Sequence, residues 1–171
     1  MADDLARPIV LVGFMAAGKS KIGRLLAARL GVAFVDSDAE IERELGAPVA
    51  DIFRTSGEGA FREAERRVIA RLVPGPPQVI SIGGGAFVGA DTRRTLNAAA
   101  DTVWLDPPFD LIAERVARST SRPLAASRSR EELRQLWEER RPSYAEAHIR
   151  IETTDEDPER AVDRIIERLG L

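Results

Sequence analysis

The chain has two lysines, at positions 19 and 21, and the first completes the segment Gly13-Phe14-Met15-Ala16-Ala17-Gly18-Lys19-Ser20. Gly-x-x-x-x-Gly-Lys-Ser is the spacing with which a loop cradles phosphates. In that geometry the backbone N–H groups of residues 15–20 converge on the anion at a helix N-terminus, where the helix dipole favours negative charge. Gly13, Ala16, Ala17 and Gly18 are then the loop positions that approach a nucleotide. Lys19 bridges the outer phosphates, and the Ser20 hydroxyl can ligate Mg²⁺. Every other Lys-or-Arg position is arginine, a planar fork that reaches poorly between phosphates. Lys21 stands outside the pattern and reads as a solvated first-turn helix residue with weak reach to a phosphate.

The pattern requires a strand before it and a helix after it. Pro8 to Val12 is a short apolar run, as in a parallel strand buried on both faces, and Ile22, Leu25, Leu26 and Leu30 follow at helical spacing. Ligands of open α/β sheets bind beyond the carboxyl ends of strands, which directs attention to the other strand ends. One carries Asp36-Ser37-Asp38, two carboxylates able to divide labour between a metal and a substrate hydroxyl. Asp38 also suits a plain helix cap. Another carries Gly83-Gly84-Gly85, which either lets backbone approach a ligand or adopt positive φ, or is a loose turn. Arg62 and Glu65, three apart on a helix, suit a carboxylate-gripping arginine oriented by its own acid, or one more surface ion pair. Arg122, Arg140 and Arg141 carry the same ambiguity. His148, Trp104 and Trp137 read as structural.

Apolar β-rich runs recur at 9–12, 33–35, 79–82, 102–105 and 148–151. Helical stretches cover 19–30, 38–46, 49–55, 58–73, 90–98, 108–118, 130–146 and 158–169, with Asp91, Asp110 and Asp157-Pro158 as start signals. Alternation of this kind gives a single α/β domain over residues 1–171, a parallel sheet with helices on both faces. Residues 119–130 are polar and irregular, a candidate lid or a surface linker. A net charge of −3 gives no basic field for nucleic acid. The absence of cysteine excludes disulfides and thiolate chemistry, and no apolar run is long enough to span a bilayer. The expectation is a cytoplasmic monomer with no nucleic-acid or membrane partner.

Taken in order, Gly-x-x-x-x-Gly-Lys-Ser, Asp-x-Asp, Phe-Arg-x-x-Glu, Gly-Gly-Gly, Arg-Pro-Leu and Arg-x-Pro-x-Tyr resemble the shikimate kinases across nearly the whole chain. The resemblance implies a nucleoside-monophosphate-kinase-like P-loop fold with a five-stranded parallel sheet in the order 2-3-1-4-5, a substrate region at about 37–66 and a lid near 118–130. It implies ATP, Mg²⁺ and shikimate as ligands, with 3-phosphoshikimate and ADP as products. Asp38 would then accept a hydrogen bond from the reacting hydroxyl, and Arg62 and Arg140 would hold the acid's carboxylate. Glu65 would orient Arg62. Gly83, Gly84 and Gly85 would line the ring, and Phe53 and Phe61 would supply an apolar wall. Asp36 would reach Mg²⁺ through water, Arg122 would arrive with the lid, and Arg115 and Pro158 would flank the adenine. Three positions depart from the pattern: Ala16 in place of glycine, Lys21 in place of a small hydroxyl residue, and Ala125 after Arg-Pro-Leu. Ala16 fits the loop on the expectation that its φ is negative.

Two other readings compete. One is a kinase of this architecture acting on another polyhydroxylated acid, such as an aminated analogue or gluconate. The other is a nucleotide-binding module that senses without chemistry, which the joint presence of Lys19, Ser20, Asp36, Asp38 and Arg122 disfavours.

Overall fold

A computed structural model of the chain describes residues 5–119, 127–155 and 157–171. Five strands, β1 (Ile9–Val12), β2 (Ala33–Asp36), β3 (Gln78–Ser81), β4 (Asp101–Asp106) and β5 (Ile149–Glu152), form one sheet in the order β2-β3-β1-β4-β5. Every pairing is parallel, with Ile9 of the central strand beside Val79 on one side and Asp101 on the other. The helices are α1 (Lys19–Leu30), α2 (Ser37–Leu45), α3 (Val49–Leu72), α4 (Ala90–Ala99), α5 (Phe109–Arg118), α6 (Arg130–Tyr144) and α7 (Pro158–Leu169). The order expected from sequence is the order observed, and strand ends shift by a residue.

Alternation along each strand sorts the core into two layers. Ile9, Leu11, Val79, Val103, Ile149 and Ile151 point to one face, where α1 and α7 cover them with Leu26, Leu30, Val162 and Ile165. Val10, Val12, Ile80, Ile82 and Trp104 point to the other, against Val68 and Ile69 of α3, Leu96 of α4, Ile112 of α5 and Tyr144 of α6. Both faces of the sheet are thereby sealed, and its carboxyl rim is left to carry the loops.

Three local features shape that rim. Helix α3 is kinked at Gly57 (φ 83°, ψ 170°), a conformation reserved for glycine, which accounts for the two helical stretches read from sequence. Helix α2 is capped by Asp36 rather than Asp38: its carboxylate accepts from the amides of Asp38 and Ala39, a cap that contributes about 1 kcal/mol. Asp157 caps α7 with Pro158 in the first turn, as expected. Asp91 and Asp110 lie in the first turns of α4 and α5 instead of capping them. A short 3₁₀ turn at Ala86–Val88, unanticipated from sequence, follows the glycine run. Most of the expected lid, including Arg122, lies outside the described residues.

Candidate active site

The loop between β1 and α1 is shaped by three residues with positive φ, Gly13 (147°), Ala16 (61°) and Gly18 (94°). A side chain on Gly13 would meet the Leu105 carbonyl oxygen at 2.7 Å, so the loop passes directly over the end of β4. Gly18 precedes α1 without offering any side-chain cap, as a helix that binds an anion at its start requires. Ala16 overturns the expectation of negative φ: it adopts the left-handed conformation, which costs an L-residue about 1 kcal/mol. The turn bond from the Ala17 amide to the Phe14 carbonyl and the donation from Arg115 Nη1 to the Ala16 carbonyl at 3.0 Å hold it there. Lys19 Nζ donates to the Gly13 and Phe14 carbonyls, each at 2.8 Å, so its ammonium is folded over its own loop.

At the start of α2 one carboxylate serves two neighbours. Asp36 Oδ1 accepts from the Asp38 amide at 2.9 Å while Oδ2 accepts from the Ser20 hydroxyl at 2.8 Å. Ser20 and Asp36 thus form a pair of hard oxygen donors beside Lys19, the donor type magnesium selects. Among the described residues no cluster of three or more His, Cys, Asp or Glu side chains could hold a metal by itself. An ion at this pair would therefore draw its remaining ligands from phosphate oxygens and water.

Further along, Asp38 and Glu65 each keep one buried carboxylate oxygen without a hydrogen-bond partner, Oδ1 and Oε2. Burial pushes the Asp38 carboxyl above its usual range, the charge of Asp36 adds to this, and Lys19 opposes it. Glu65, 3% exposed, is likewise raised by burial, against the pull of Arg62, whose Nη1 donates to Oε1 at 2.7 Å.

The glycine run explains how these groups fit together. A Cβ on Gly83 would lie 3.1 Å from both Asp38 Oδ1 and Glu65 Oε2, one on Gly84 3.4 Å from Arg140 Nη1, and one on Gly85 only 2.7 Å from Arg62 Cζ. None of the three has positive φ. At Gly85 the Arg62 guanidinium occupies the space of a Cβ, at Gly83 two carboxylates crowd it, and at Gly84 the nearest atom is the Met15 amide nitrogen at 3.2 Å. Tyr144, fully buried, donates its hydroxyl to the Gly84 carbonyl, and burial pushes that hydroxyl up to about 12.

A cleft of about 710 Å³ joins these regions. Of the expected residues, Ala16 to Lys21, Asp36, Asp38, Gly83, Gly84, Arg115 and Pro158 line it. Arg62, Glu65 and Arg140 do not line it; they converge on the glycine run. Phe53 packs on Phe61 with ring centroids 4.6 Å apart, Phe61 being buried. Sequence reasoning missed Thr153 and Thr154, which follow β5 and line the same cleft, and the arginines 24, 160 and 164. Thr153 Oγ1 is buried without a hydrogen-bond partner. The strand-end rule applied to β5 would have found the two threonines.

The sequence model of the shikimate kinase family matches residues 15–170. The chain belongs to the shikimate kinase family. A shikimate kinase of Paramagnetospirillum magneticum is 50% identical, over 99% of this chain and 93% of its own length. One from Caulobacter vibrioides is 47% identical, over 99% and 87%. Among solved structures, the shikimate kinase of Acinetobacter baumannii in complex with shikimate superposes with a TM-score of 0.90 at 37% identity, covering 96% of this chain and 93% of that one. These matches extend through both layers of the sheet, so the shikimate kinase fold expected from sequence is the fold of this chain.

Proposed function

We propose that this chain transfers the γ-phosphoryl group of ATP to the 3-hydroxyl of shikimate, giving ADP and 3-phosphoshikimate on the route to chorismate and aromatic amino acids. The observation that carries the proposal is one cleft with a phosphate loop at one end and, at the other, a buried carboxylate oxygen of Asp38 left without a partner beside Arg62 and Arg140. Family membership narrows the acid to shikimate.

The loop amides and Lys19 bind the phosphates, Lys19 exchanging its bonds to the Gly13 and Phe14 carbonyls for phosphate oxygens. Arg115 and Pro158, which both line the cleft, flank the adenine. Arg62, steadied by Glu65, and Arg140 grip the acid's carboxylate, with Phe53 and Phe61 as the apolar wall. Such fixation converts a bimolecular encounter into an oriented one, the main resource of a reaction whose transition state has little new bonding. Asp38 Oδ1 accepts the hydrogen bond of the attacking hydroxyl. As that oxygen bonds to the γ-phosphorus and the bond to the bridging oxygen of ADP breaks, the hydroxyl proton passes to Asp38, whose raised affinity for a proton suits it to receive one. Ser20, and through water Asp36, would hold Mg²⁺, which would supply charge neutralisation at the phosphates. Arg122, outside the described residues, is assigned the complementary cation of the lid. We assign the whole chain to one domain acting as a cytoplasmic monomer; no described helix is long and apolar enough to cross a membrane.

A coupled assay of ADP release tests the reading. Release should depend on shikimate and should exceed that with gluconate or an aminated analogue by at least about a hundredfold in kcat/KM, as a site built on polar contacts discriminates. Nucleotide binding without shikimate-dependent release would instead make the protein a sensor.

A further inference from the structure

Arg140 and Arg141 are identical neighbours on α6, and consecutive helical residues project about 100° apart. They go to different places. Arg140 lies over the Phe14 ring at 5.7 Å and reaches the Gly84 backbone. Arg141 turns to β4, where Nη1 and Nη2 donate to the two oxygens of Asp106, the second at 3.1 Å. Its guanidinium lies 4.9 Å from the Trp104 ring and 4.5 Å from that of Trp137, the chain's two tryptophans. Asp106 is buried at the strand end, and Arg150 closes its other side with Nε at 2.9 Å while stacking on Trp104. A planar fork both paired bidentately and stacked on aromatic rings has its orientation fixed in all directions.

The clamp sits at a weak point of the helix. Pro142 has no N–H to donate to the preceding turn, so the last turn of α6 is under-bonded where Arg140 must be presented. Two tertiary tethers bracket the proline: Arg141 on Asp106 before it, and Tyr144 on the Gly84 carbonyl after it. Trp104 touches both, its ring 6.0 Å from that of Tyr144.

We infer that Arg141, gripped by Asp106 between Trp104 and Trp137, is a positioning residue that sets the last turn of α6 so that Arg140 meets the carboxylate of the acid substrate. The inference rests on the reading of Arg140 as a carboxylate ligand. Asp106 also decides which of two adjacent arginines faces the acid, because capture of one commits the other.

Steady-state kinetics of Arg141→Met, Arg141→Lys and Asp106→Asn, with melting temperatures, test this. KM for shikimate should rise about tenfold in Arg141→Met and Asp106→Asn and less in Arg141→Lys, with kcat and the KM for ATP within about twofold of the parent. The carboxamide of shikimate, which offers no charge to Arg140, should bind the parent and Arg141→Met alike. A lowered melting temperature with KM for shikimate unchanged would reduce the clamp to a structural tie and overturn the inference, as would equal losses for the acid and its carboxamide. Should Arg141→Met fail to fold, Arg141→Lys and Asp106→Asn carry the same expectations. A parent enzyme that releases no ADP with shikimate overturns the functional reading and this inference together; an active parent with insensitive variants overturns the inference alone.

Discussion

At the nucleotide end of the cleft the geometry is made by main chain: Gly13, Ala16 and Gly18 turn one short contiguous segment, and Lys19 rests on carbonyls of that same segment. Around the glycine run, where the acid is proposed to bind, it is made by side chains from three helices, Asp38 of α2, Arg62 and Glu65 of α3 and Arg140 of α6, converging on glycines whose backbone is conformationally undemanding. In the first arrangement the Lys19 ammonium is already bonded to the loop's own carbonyls before any ligand arrives. The second keeps two buried carboxylate oxygens waiting, so it holds free energy in reserve that a hydroxyl or a substitution can release.

The contrast is broken most severely at Lys19. Lys19→Ala should lower kcat/KM by about a thousandfold or more while leaving the circular dichroism spectrum intact, since the lysine's present bonds are local; near-normal turnover would remove the ammonium from the mechanism. Asp38→Asn should cost about a hundredfold or more in kcat and yet raise the melting temperature at neutral pH. The sign follows from burial: the folded chain binds this proton more tightly than the unfolded one, so the parent loses stability as pH rises through the raised value, and asparagine escapes that loss. The gap in melting temperature should therefore be widest at neutral pH and close as pH falls below the ordinary aspartate value of 3.8. A destabilised Asp38→Asn would contradict the idea of a held reserve.

A smaller effect sharpens the same comparison. Gly85→Ala places a methyl where Arg62 now lies, 2.7 Å from Cζ, and should raise the KM for shikimate about tenfold with the KM for ATP unchanged. The smallest is Ala16→Gly at the nucleotide end. Relief of the left-handed alanine, about 1 kcal/mol, is opposed by the entropy of a more flexible unfolded chain, about 0.4–1 kcal/mol, so melting should shift by less than about 2 °C.

The same contrast decided what could be read from sequence. The phosphate loop, the alternation of strands and helices and the break between the helical stretches 49–55 and 58–73 were legible because each is written in contiguous residues, whereas the order of strands in the sheet came from resemblance to the family. The Arg62–Glu65 pair was not legible on its own, because identical spacing recurs in exposed pairs with no such setting: Arg43 with Glu40, Arg54 with Asp51, Arg94 with Asp91. Only resemblance to the family singled it out. Asp106 and Arg141, 35 residues apart, carry no pattern at all. Gly83 to Gly85 were noticed with close backbone approach, positive φ and a loose turn all open; positive φ is not adopted, and crowding of the Cβ positions is the finding. Ala16 was misjudged because residue type sets only a preference for φ, which a turn bond and an arginine can override.

Asp36 holds Ser20 with one oxygen and the first amides of α2 with the other. It works as a hinge pin through both leaves of the pocket. Any event that pulls Ser20 away from it, such as the arrival of phosphates at the loop, frees a carboxylate oxygen only a residue or two from Asp38. On the proposed function, occupation of the nucleotide seat would thereby reach Asp38 over a path of two hydrogen bonds.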